Sequence, residues 1–272
     1  MAPEAVEIIL LKQLASCLRI PISLLDPEGN VLFFNEPAES IFGRRFEETD
    51  GLDLDEWQAL LAPSDASGTP LKDEQRPVLT ALRQRVPGHQ SFFIRTTGGR
   101  RREIEVTGLP LLATGDRFLG AMSIFWEPRT GSRRSEAHPA TRSNQQTIET
   151  ILTRRVASTL TAPIFLVDAE GHLLYFNPAA EPILGQPFAG ATLGSSDELY
   201  ASFRPRDEDG NPIAHQDHPL VLARTERQPV HRRTCIRGLD GRDRKIAITA
   251  IPLIGQSDRL VGAFGVFWEI PS

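Results

Sequence analysis

The sequence predicts an α+β fold built twice: two domains, each a five-stranded antiparallel sheet with short helices on one face and an N-terminal amphipathic helix. Two observations lead to this prediction. When the chain is shifted by 142 residues it matches itself without a gap, and roughly 40% of about 120 aligned pairs are identical, far more than one fixed offset gives by chance. Within each copy, two strand patterns precede short helices and three further strand patterns. So long a period indicates duplicated domains, because solenoid repeats span about 20–50 residues.

The repeat also sets the predicted domain boundaries. Phe34-Asn35 aligns with Phe176-Asn177 near the start of each copy, and the ending Phe-Trp-Glu occurs in both. The segment 129–146 holds scattered arginines, serines and threonines and shows no apolar periodicity, which is typical of a flexible linker. We therefore predict a first domain at 1–128 and a second at 147–272, each with its own N-terminal helix.

Composition excludes several classes of function. The chain has 272 residues and a net charge of −5, so no basic field draws it to nucleic acid or to an anionic membrane. Glu4 and Glu7 stand where a secretory signal is basic, and no run of about 18 apolar residues predicts a membrane span. Cys17 and Cys235 form neither a disulfide framework nor a metal-binding spacing. We expect a cytoplasmic protein with no nucleic-acid and no membrane partner.

Each copy opens with a helix and a hairpin. Residues 4–18 and 147–160 repeat apolar side chains every three or four positions, which predicts amphipathic helices. Ile22–Leu25 and Val31–Asn35 are strand patterns. The segment Asp26-Pro-Glu-Gly29 between them has the proline and glycine of a tight turn. These elements predict the first two strands of each sheet.

Helices occupy the middle of each copy. Asn35 precedes a proline-containing segment and predicts a helix cap, and Gly43 predicts a left-handed end to that short helix. Helical signals around Trp57 are weak, whereas residues 73–85 place Val, Leu and Leu on one apolar face. Several short helices therefore separate the hairpin from the later strands.

Three strand patterns complete each copy. In the first copy they cover residues 89–97, 102–112 and 117–126. Pro110 lies inside the second of them, and because proline lacks an N–H it predicts an edge or bulge position. The order of elements predicts helices segregated to one face of a five-stranded antiparallel sheet.

The last strand of each copy is apolar on both faces, which predicts a central strand covered twice. The domain's own short helices provide one cover. The N-terminal helix or a partner subunit provides the other. The interface residues predicted from this helix and from the outer face of the last strand are Val6, Ile9, Leu10, Leu14, Leu119, Phe125, Val261 and Phe267.

Each copy resembles a PAS domain over nearly its whole length. In the first copy the resemblance rests on Pro21-Ile-Ser-Leu-Leu-Asp-Pro-Glu-Gly29 and Phe33-Phe34-Asn35-x-x-Ala38-Glu39-x-x-Phe42-Gly43. In the second it rests on Pro163-Ile-Phe-Leu-Val-Asp-Ala-Glu-Gly171 and Tyr175-Phe176-Asn177-x-x-Ala180-Glu181-x-x-Leu184-Gly185. The shared Gly-x-Pro segment and the ending Gly-Ala-x-x-x-Phe-Trp-Glu are also typical. Order, spacing and double occurrence indicate tandem PAS domains.

The resemblance implies a sensory, signal-input or interaction module. PAS domains sense small molecules, redox state or light, or mediate protein contacts, and they often dimerise through an N-terminal helix on the outer sheet face. We therefore expect a homodimer or a complex with a signalling partner such as a kinase or a transcription regulator. No output-domain pattern follows Trp268, so the chain acts through a partner or belongs to a longer protein.

A small-molecule pocket in this fold lies between the helices and the inner sheet face. The inner-face residues predicted from strand alternation are Phe92, Ile94, Ile104, Val106, Met122 and Ile124 in the first copy, and Thr234, Ile236, Ile246, Ile248, Phe264 and Val266 in the second. A filled hydrophobic core gives the same pattern. The sequence leaves open whether either pocket takes a ligand.

Haem or flavin is the cofactor alternative, and we favour neither. Haem-binding PAS domains take an axial histidine from the helix before the last three strands, where the second copy has His215 and His218. An exposed helix start explains both histidines better, because the segment His215-Gln-Asp-His is not apolar. Light-sensing PAS domains need a cysteine in an Asn-Cys-Arg motif, which neither Cys17 nor Cys235 provides.

Catalytic and metal-binding motifs are missing from the sequence. It contains no glycine-rich phosphate loop, no Gly-x-Ser-x-Gly turn and no His-Glu-x-x-His pair. The prediction is a non-enzymatic protein without a metal. A dimerisation scaffold that binds no ligand is the second alternative.

Overall fold

The computed structural model describes residues 5–49, 53–96, 98–113, 115–128, 148–188, 196–255 and 258–271. They form two compact units, one on each side of residues 129–147. The predicted linker, 129–146, lies outside the described residues.

The first unit has four α-helices and five strands in its described part. The helices are α1 (Val6–Cys17), α2 (Glu36–Phe42), α3 (Leu54–Leu61) and α4 (Pro77–Gln84). The strands are β1 (Ile22–Leu25), β2 (Val31–Phe34), β3 (Gly88–Arg95), β4 (Arg101–Ala113) and β5 (Arg117–Trp126). Asn35 caps α2, and Gly43 ends it with a left-handed φ of 73°, as predicted. The predicted 73–85 helix begins later, because residues 73–75 form a separate 3-10 turn.

The described part of the second unit repeats this arrangement. Its helices are α5 (Ile148–Thr159), α6 (Glu181–Leu184), α7 (Ser196–Phe203) and α8 (Pro219–Glu226). Its strands are β6 (Ile164–Asp168), β7 (Leu173–Phe176), β8 (Val230–Arg237), β9 (Asp243–Ile254) and β10 (Leu260–Glu269).

Both sheets are five-stranded, antiparallel and ordered in the same way. The strand order is β2-β1-β5-β4-β3 in the first unit and β7-β6-β10-β9-β8 in the second. The predicted α+β fold is thereby confirmed. The last strand of each unit lies at the centre of its sheet, which explains why it is apolar on both faces.

The inner face of each sheet packs against the short helices. In the first unit Phe125 of β5 lies opposite Val106 of β4, and both belong to the core that includes α2 and α3. Because successive residues of a strand point to opposite faces, Met122 and Ile124 point outwards. Their predicted inner position is wrong, and so is the predicted outer position of Phe125.

The second unit requires the same correction. Phe267 of β10 lies opposite Ile248 of β9 in the inner core. Phe264 and Val266 therefore face outwards, and Phe267 is a core residue and not an outer-face residue. In an amphipathic strand, the alternation of apolar and polar residues shows which face points to the core. The last strand of each unit is apolar on both faces, so its sequence does not show which face is the inner one.

The outer face of each sheet is covered by the N-terminal helix of its own unit. The outward-facing residues of the first unit are buried, and so are Ile8, Leu11, Leu14 and Ala15 of α1, which belong to neither of the inner-face cores. Glu7 of α1 pairs with Arg117 of β5 at 2.7 Å. In the second unit α5 contacts β10. Of the two covers considered from the sequence, the helix is the one present.

A buried asparagine joins three elements in each unit. The Asn35 Oδ1 atom accepts hydrogen bonds from the backbone N–H groups of Ile22 (3.0 Å) and Ala38 (3.3 Å). Its Nδ2 group donates to the carbonyls of Ala15 and Ile20, each at 2.8 Å, and more weakly to that of Leu18. Asn177 makes the equivalent bonds in the second unit. One side chain thus ties the N-terminal helix to the edge of β1 or β6 and to the next helical turn.

Pro110 lies where β4 has a neighbour on one side only. β3 pairs with β4 from Arg95 down to Gly88, which is opposite Gly108. Beyond that point β4 pairs with β5 alone, and Pro110 lies opposite Ala121. This agrees with the predicted edge position.

The described helices are also too short or too polar to cross a membrane.

Candidate functional site

The second unit encloses a cavity of about 70 Å³ between its inner sheet face and the helices α7 and α8. Most of the wall is apolar and includes Phe165, Leu199, Phe203 and Phe267. Four side chains with polar groups also line it, namely Tyr200, His215, His218 and Arg224. An apolar cavity with a few polar groups is the usual form of a small-molecule site.

His218 stands at the start of α8 with its imidazole on the cavity. Its side chain makes no cap hydrogen bond, and no described residue hydrogen-bonds its ring nitrogens. Burial, together with the nearby charges of His215, Arg224 and Arg232, lowers the pKa of His218 to about 4. The ring is therefore neutral at pH 7, with one N–H donor and one acceptor nitrogen.

Arg224 lies one and a half turns further along α8. Its Nη1 group donates to the carbonyl of Ala169 at 3.1 Å. Its Nε–H is buried and has no partner among the described residues. Burial lowers the pKa of Arg224, while the charges of Asp168 and Glu170 oppose that shift. A guanidinium remains charged even so, so the cavity has a cationic donor at its wall.

His215 and Tyr200 are fixed by other contacts. Their rings are 5.4 Å apart in an edge-to-face arrangement. His215 Nε2 lies 3.5 Å from Asp197 Oδ1, and the Tyr200 hydroxyl donates to the carbonyl of Ile213. These two residues therefore form the wall of the cavity, and His218 and Arg224 carry its unused donors.

The first unit has a cavity of similar size that is lined differently. Trp57 fills the place of Leu199, and its ring packs against Phe42 at 4.6 Å between ring centroids. Arg76 stands where the second unit has His218, and it donates to Gln58 and to the carbonyl of Leu71. Leu82 stands where the second unit has Arg224. The Arg76 guanidinium thus donates its hydrogen bonds to residues around the cavity, although its Nε–H has no partner among the described residues.

Seven of the predicted pocket residues line a cavity, and five do not. Those on the cavity walls are Phe92, Ile94, Ile104 and Val106 in the first unit and Ile236, Ile246 and Ile248 in the second. Thr234 lies opposite Ile246, on the inner face but away from the cavity wall. The other four are the outward-facing residues corrected above. Phe125 and Phe267, predicted at an interface, are cavity-lining residues instead.

The remaining predicted interface residues differ in exposure. Val6 and Ile9 of α1 are 66% and 39% exposed. Leu10 and Val261 are half-buried, and Leu14 and Leu119 are buried within the chain. The exposed side of α1 is therefore the side of Val6 and Ile9.

Haem and flavin do not fit the two cavities that lie between the helices and the inner sheet faces. Ligand sites for molecules of drug size enclose about 300–1,000 Å³, several times the volume found here. Cys17 lies on α1, and Cys235 alternates with the inward-facing Thr234 and Ile236 of β8, so neither lines a cavity. The histidines considered as haem ligands both line the second cavity, but the core side chains around them leave no room for a macrocycle.

Asp168, Glu170 and His172 form the one group of potential metal ligands found in the described part of the chain. Their ligand atoms lie within 4.8 Å of one another in the turn between β6 and β7. The Asp168 carboxylate already accepts hydrogen bonds from the N–H groups of Gly171 and His172, and the His172 ring lies 3.0 Å from it. The contacts are those of a tight turn.

Sequence reasoning missed Tyr200 and Phe203 and gave Arg224 no specific role. The helix α7 that carries the first two falls in the region where the copies differ most. A position-by-position comparison of the two copies shows that Arg224 is specific to the second copy, because leucine occupies the equivalent position in the first. The hydrogen bonds from Asn35 Nδ2 to the end of the N-terminal helix were also missed. A helix-cap motif predicts only the hydrogen bond that the side-chain oxygen accepts.

Solved structures that are similar to part of the chain have low sequence identity to it. A PAS domain from Colwellia psychrerythraea is 20% identical, with a TM-score of 0.35, over 44% of this chain and 97% of that one. The PAS domain of BvgS from Bordetella pertussis is 22% identical, with a TM-score of 0.36, over 46% and 89%. That of nitrogen regulation protein NR(II) from Vibrio parahaemolyticus is 17% identical, with a TM-score of 0.33, over 44% and 98%. No curated protein matches the chain.

The family comparison covers most of the sequence. The profile of the PAS fold matches residues 10–126 and again residues 152–270. Each match spans the five strands and the short helices of one unit. Domains of this family are generally regulatory and not catalytic. The chain therefore belongs to the PAS fold family, in two tandem copies, and is a module of the sensory or interaction class.

Proposed function

We propose that this tandem PAS protein is a signal-input module that self-associates through its N-terminal helices. The observation that carries the proposal is the distribution of exposed apolar side chains. Four of the five large ones in the described residues lie on α1 and α5, and they occupy equivalent positions: Val6 and Ile9, Ile148 and Ile151. Clusters of exposed apolar side chains mark interaction surfaces.

The occupant that we propose for this surface is a second copy of the chain. A surface that pairs with its own copy through a two-fold axis must be self-complementary, and a small aliphatic patch without charge meets that requirement. The other large apolar side chains of α1 are buried or half-buried, so the apolar surface that α1 offers is the side of Val6 and Ile9. A kinase or a transcription regulator is the alternative occupant.

Self-association is tested by placing charge in the patch. The double variant Val6→Glu, Ile9→Glu buries two carboxylates in the proposed interface, and we expect dissociation to increase by at least 100-fold because unpaired buried charges are costly. Sedimentation velocity over a concentration series measures this. Val86→Glu is the matched control, since Val86 is a 45% exposed apolar residue outside the flanking helices.

Three results decide the case. A concentration-dependent dimer that is lost in the double variant and kept in Val86→Glu supports the proposal. A monomer at every concentration in the unmodified chain overturns it. A dimer that survives the double variant assigns self-association to another surface.

A second function, ligand sensing by the second unit, is favoured by its cavity. The cavity lies against Phe165 and Val167 of β6, and Ile164 at the start of that strand donates its backbone N–H to Asn177. The same asparagine bonds the last turn of α5. A ligand that shifts β6 therefore acts on the helix that carries Ile148 and Ile151. Such a two-state change requires the ligand to bind one helix packing better than the other.

A further inference from the structure

We infer that the cavity of the second unit binds a small carboxylate, held by Arg224 and His218 with its short apolar tail against the aromatic wall. This inference rests on the proposed ligand-sensing function and names the chemical class of the ligand. Three observations carry it: two unused donors, the size of the cavity, and the first unit as an internal comparison.

The two donors face the same space without a protein acceptor. The Arg224 Nε–H is buried and unpartnered, and the ring nitrogens of His218 make no hydrogen bond with any described residue. A buried donor without an acceptor costs about 1–3 kcal/mol, and more when it is charged. A bound carboxylate supplies two acceptor oxygens, and its negative charge compensates the buried guanidinium.

Asp168 and Glu170 do not supply these acceptors. The Asp168 oxygens are hydrogen-bonded within their own turn, and Glu170 is exposed. The contact of Arg224 with this turn is through Nη1 and the Ala169 carbonyl. Arg224 lines the cavity, and its Nη2 group makes no hydrogen bond with any described residue, so this end of the guanidinium is left for a ligand.

The cavity limits the rest of the molecule. Its volume of about 70 Å³ is near half of the roughly 150 Å³ that accommodates benzene in an engineered protein cavity. A carboxylate with a tail of one to three carbon atoms is of that size. Apolar side chains, among them Leu199, Ile236 and Phe267, also line the cavity, which favours an alkyl tail.

The first unit lacks this arrangement at the same positions. Leucine replaces Arg224, and Arg76 replaces His218 and bonds to the wall. The two copies otherwise share their fold and their core positions. A variant that converts the second cavity toward the first is therefore expected to fold.

The test is calorimetric titration of the full chain with propionate, with propionamide as the neutral probe of the same shape. We expect propionate to bind, and Arg224→Leu and Arg224→Gln to weaken its binding about 10- to 100-fold, the value of one or two charge-assisted hydrogen bonds. Arg233→Leu removes the same charge from an exposed site on β8 and should leave the affinity unchanged.

Each of the other outcomes overturns one part of the proposal: the carboxylate ligand, its site, or ligand sensing itself. Equal binding of propionamide and propionate overturns the carboxylate and leaves ligand sensing intact. Propionate binding that both Arg224 variants retain overturns the assigned site. Binding of neither probe overturns the carboxylate site, and if xenon under pressure, as a small apolar probe, also leaves the Tm unchanged, the ligand-sensing function fails with it.

Discussion

At the scale of single residues, His218 has the most unusual environment in the second unit. Its imidazole titrates at a pKa of about 4, against 6.5 for the free side chain. Between these values the unfolded chain binds more protons than the folded one. The free energy of unfolding of the second unit therefore falls as the pH drops from about 6.5 toward 4, and this contribution is constant above 6.5.

We predict that His218 costs the second unit about 2 kcal/mol of stability at pH 5 relative to pH 7. Urea unfolding at the two pH values, followed through NMR signals of each unit, measures this loss. In His218→Gln the pH-dependent difference should shrink by that amount, whereas His172→Gln, at an exposed histidine, should behave like the unmodified chain. An unchanged pH dependence in His218→Gln would contradict the buried, neutral histidine.

The residues of the site were predictable only in part. Alternation along β3 and β4 identifies Ile94 and Val106 as inward-facing because polar residues occupy the opposite face at intervals. No such contrast exists along β5 or β10, so Phe125 and Phe267 were assigned to the wrong face. Whether His218 reaches the cavity depends on the residue at which α8 begins. Neither helical spacing nor composition predicts that residue exactly.

At the scale of elements, Asn35 and Asn177 determine how the N-terminal helices are attached. Each side chain is buried and uses both ends of its amide, so its loss deprives the N–H of Ile22 or Ile164, and the carbonyls at the end of the N-terminal helix, of this hydrogen-bond partner. The end of the helix and the start of the first strand are affected together. The attachment has the same form in both units.

We predict that Asn177→Ala lowers the free energy of unfolding of the second unit by about 3 kcal/mol or more, because several buried groups lose their hydrogen bonds. Chemical denaturation measures the loss, and hydrogen exchange should show increased opening of α5. Asn211→Ala is the control, since Asn211 lies in an exposed turn. A loss no larger than that of the control would show that water replaces the amide without cost.

Most element boundaries were predictable from local signals. The cap at Asn35, the left-handed glycine at Gly43 and the hairpin turn between β1 and β2 each have a local chemical cause. The cover of the outer face was left open between the helix and a partner, because a pattern of apolar residues does not specify what it packs against. Only the placement of α1 on the sheet decides that question.

At the scale of the whole molecule, the chain consists of two units with separate cores. The inner-face cores of the first unit draw on residues 25–125 and that of the second on residues 165–267, with no residue in common. Each sheet is also complete within its own unit. A unit with a complete sheet and its own core is expected to fold alone.

We predict that fragments 1–128 and 147–272 each unfold in one cooperative transition, with midpoints within a few degrees of those in the full chain. Differential scanning calorimetry of the two fragments and the full chain tests this. A fragment that is unfolded at 25 °C would show that its stability depends on the other unit or on association.

Pro110 and its counterpart Pro252 have a consequence for behaviour at high concentration. The end of β4 beyond Gly108 and the matching end of β9 have a strand neighbour on one side only, and when local opening uncovers these buried residues, a strand of another molecule can add to that side and begin aggregation. A proline offers no N–H at this place, so an incoming strand finds an interrupted ladder. Solubility of a chain with two such sheets thus depends in part on two residues that contribute nothing to the cavity or to the helices.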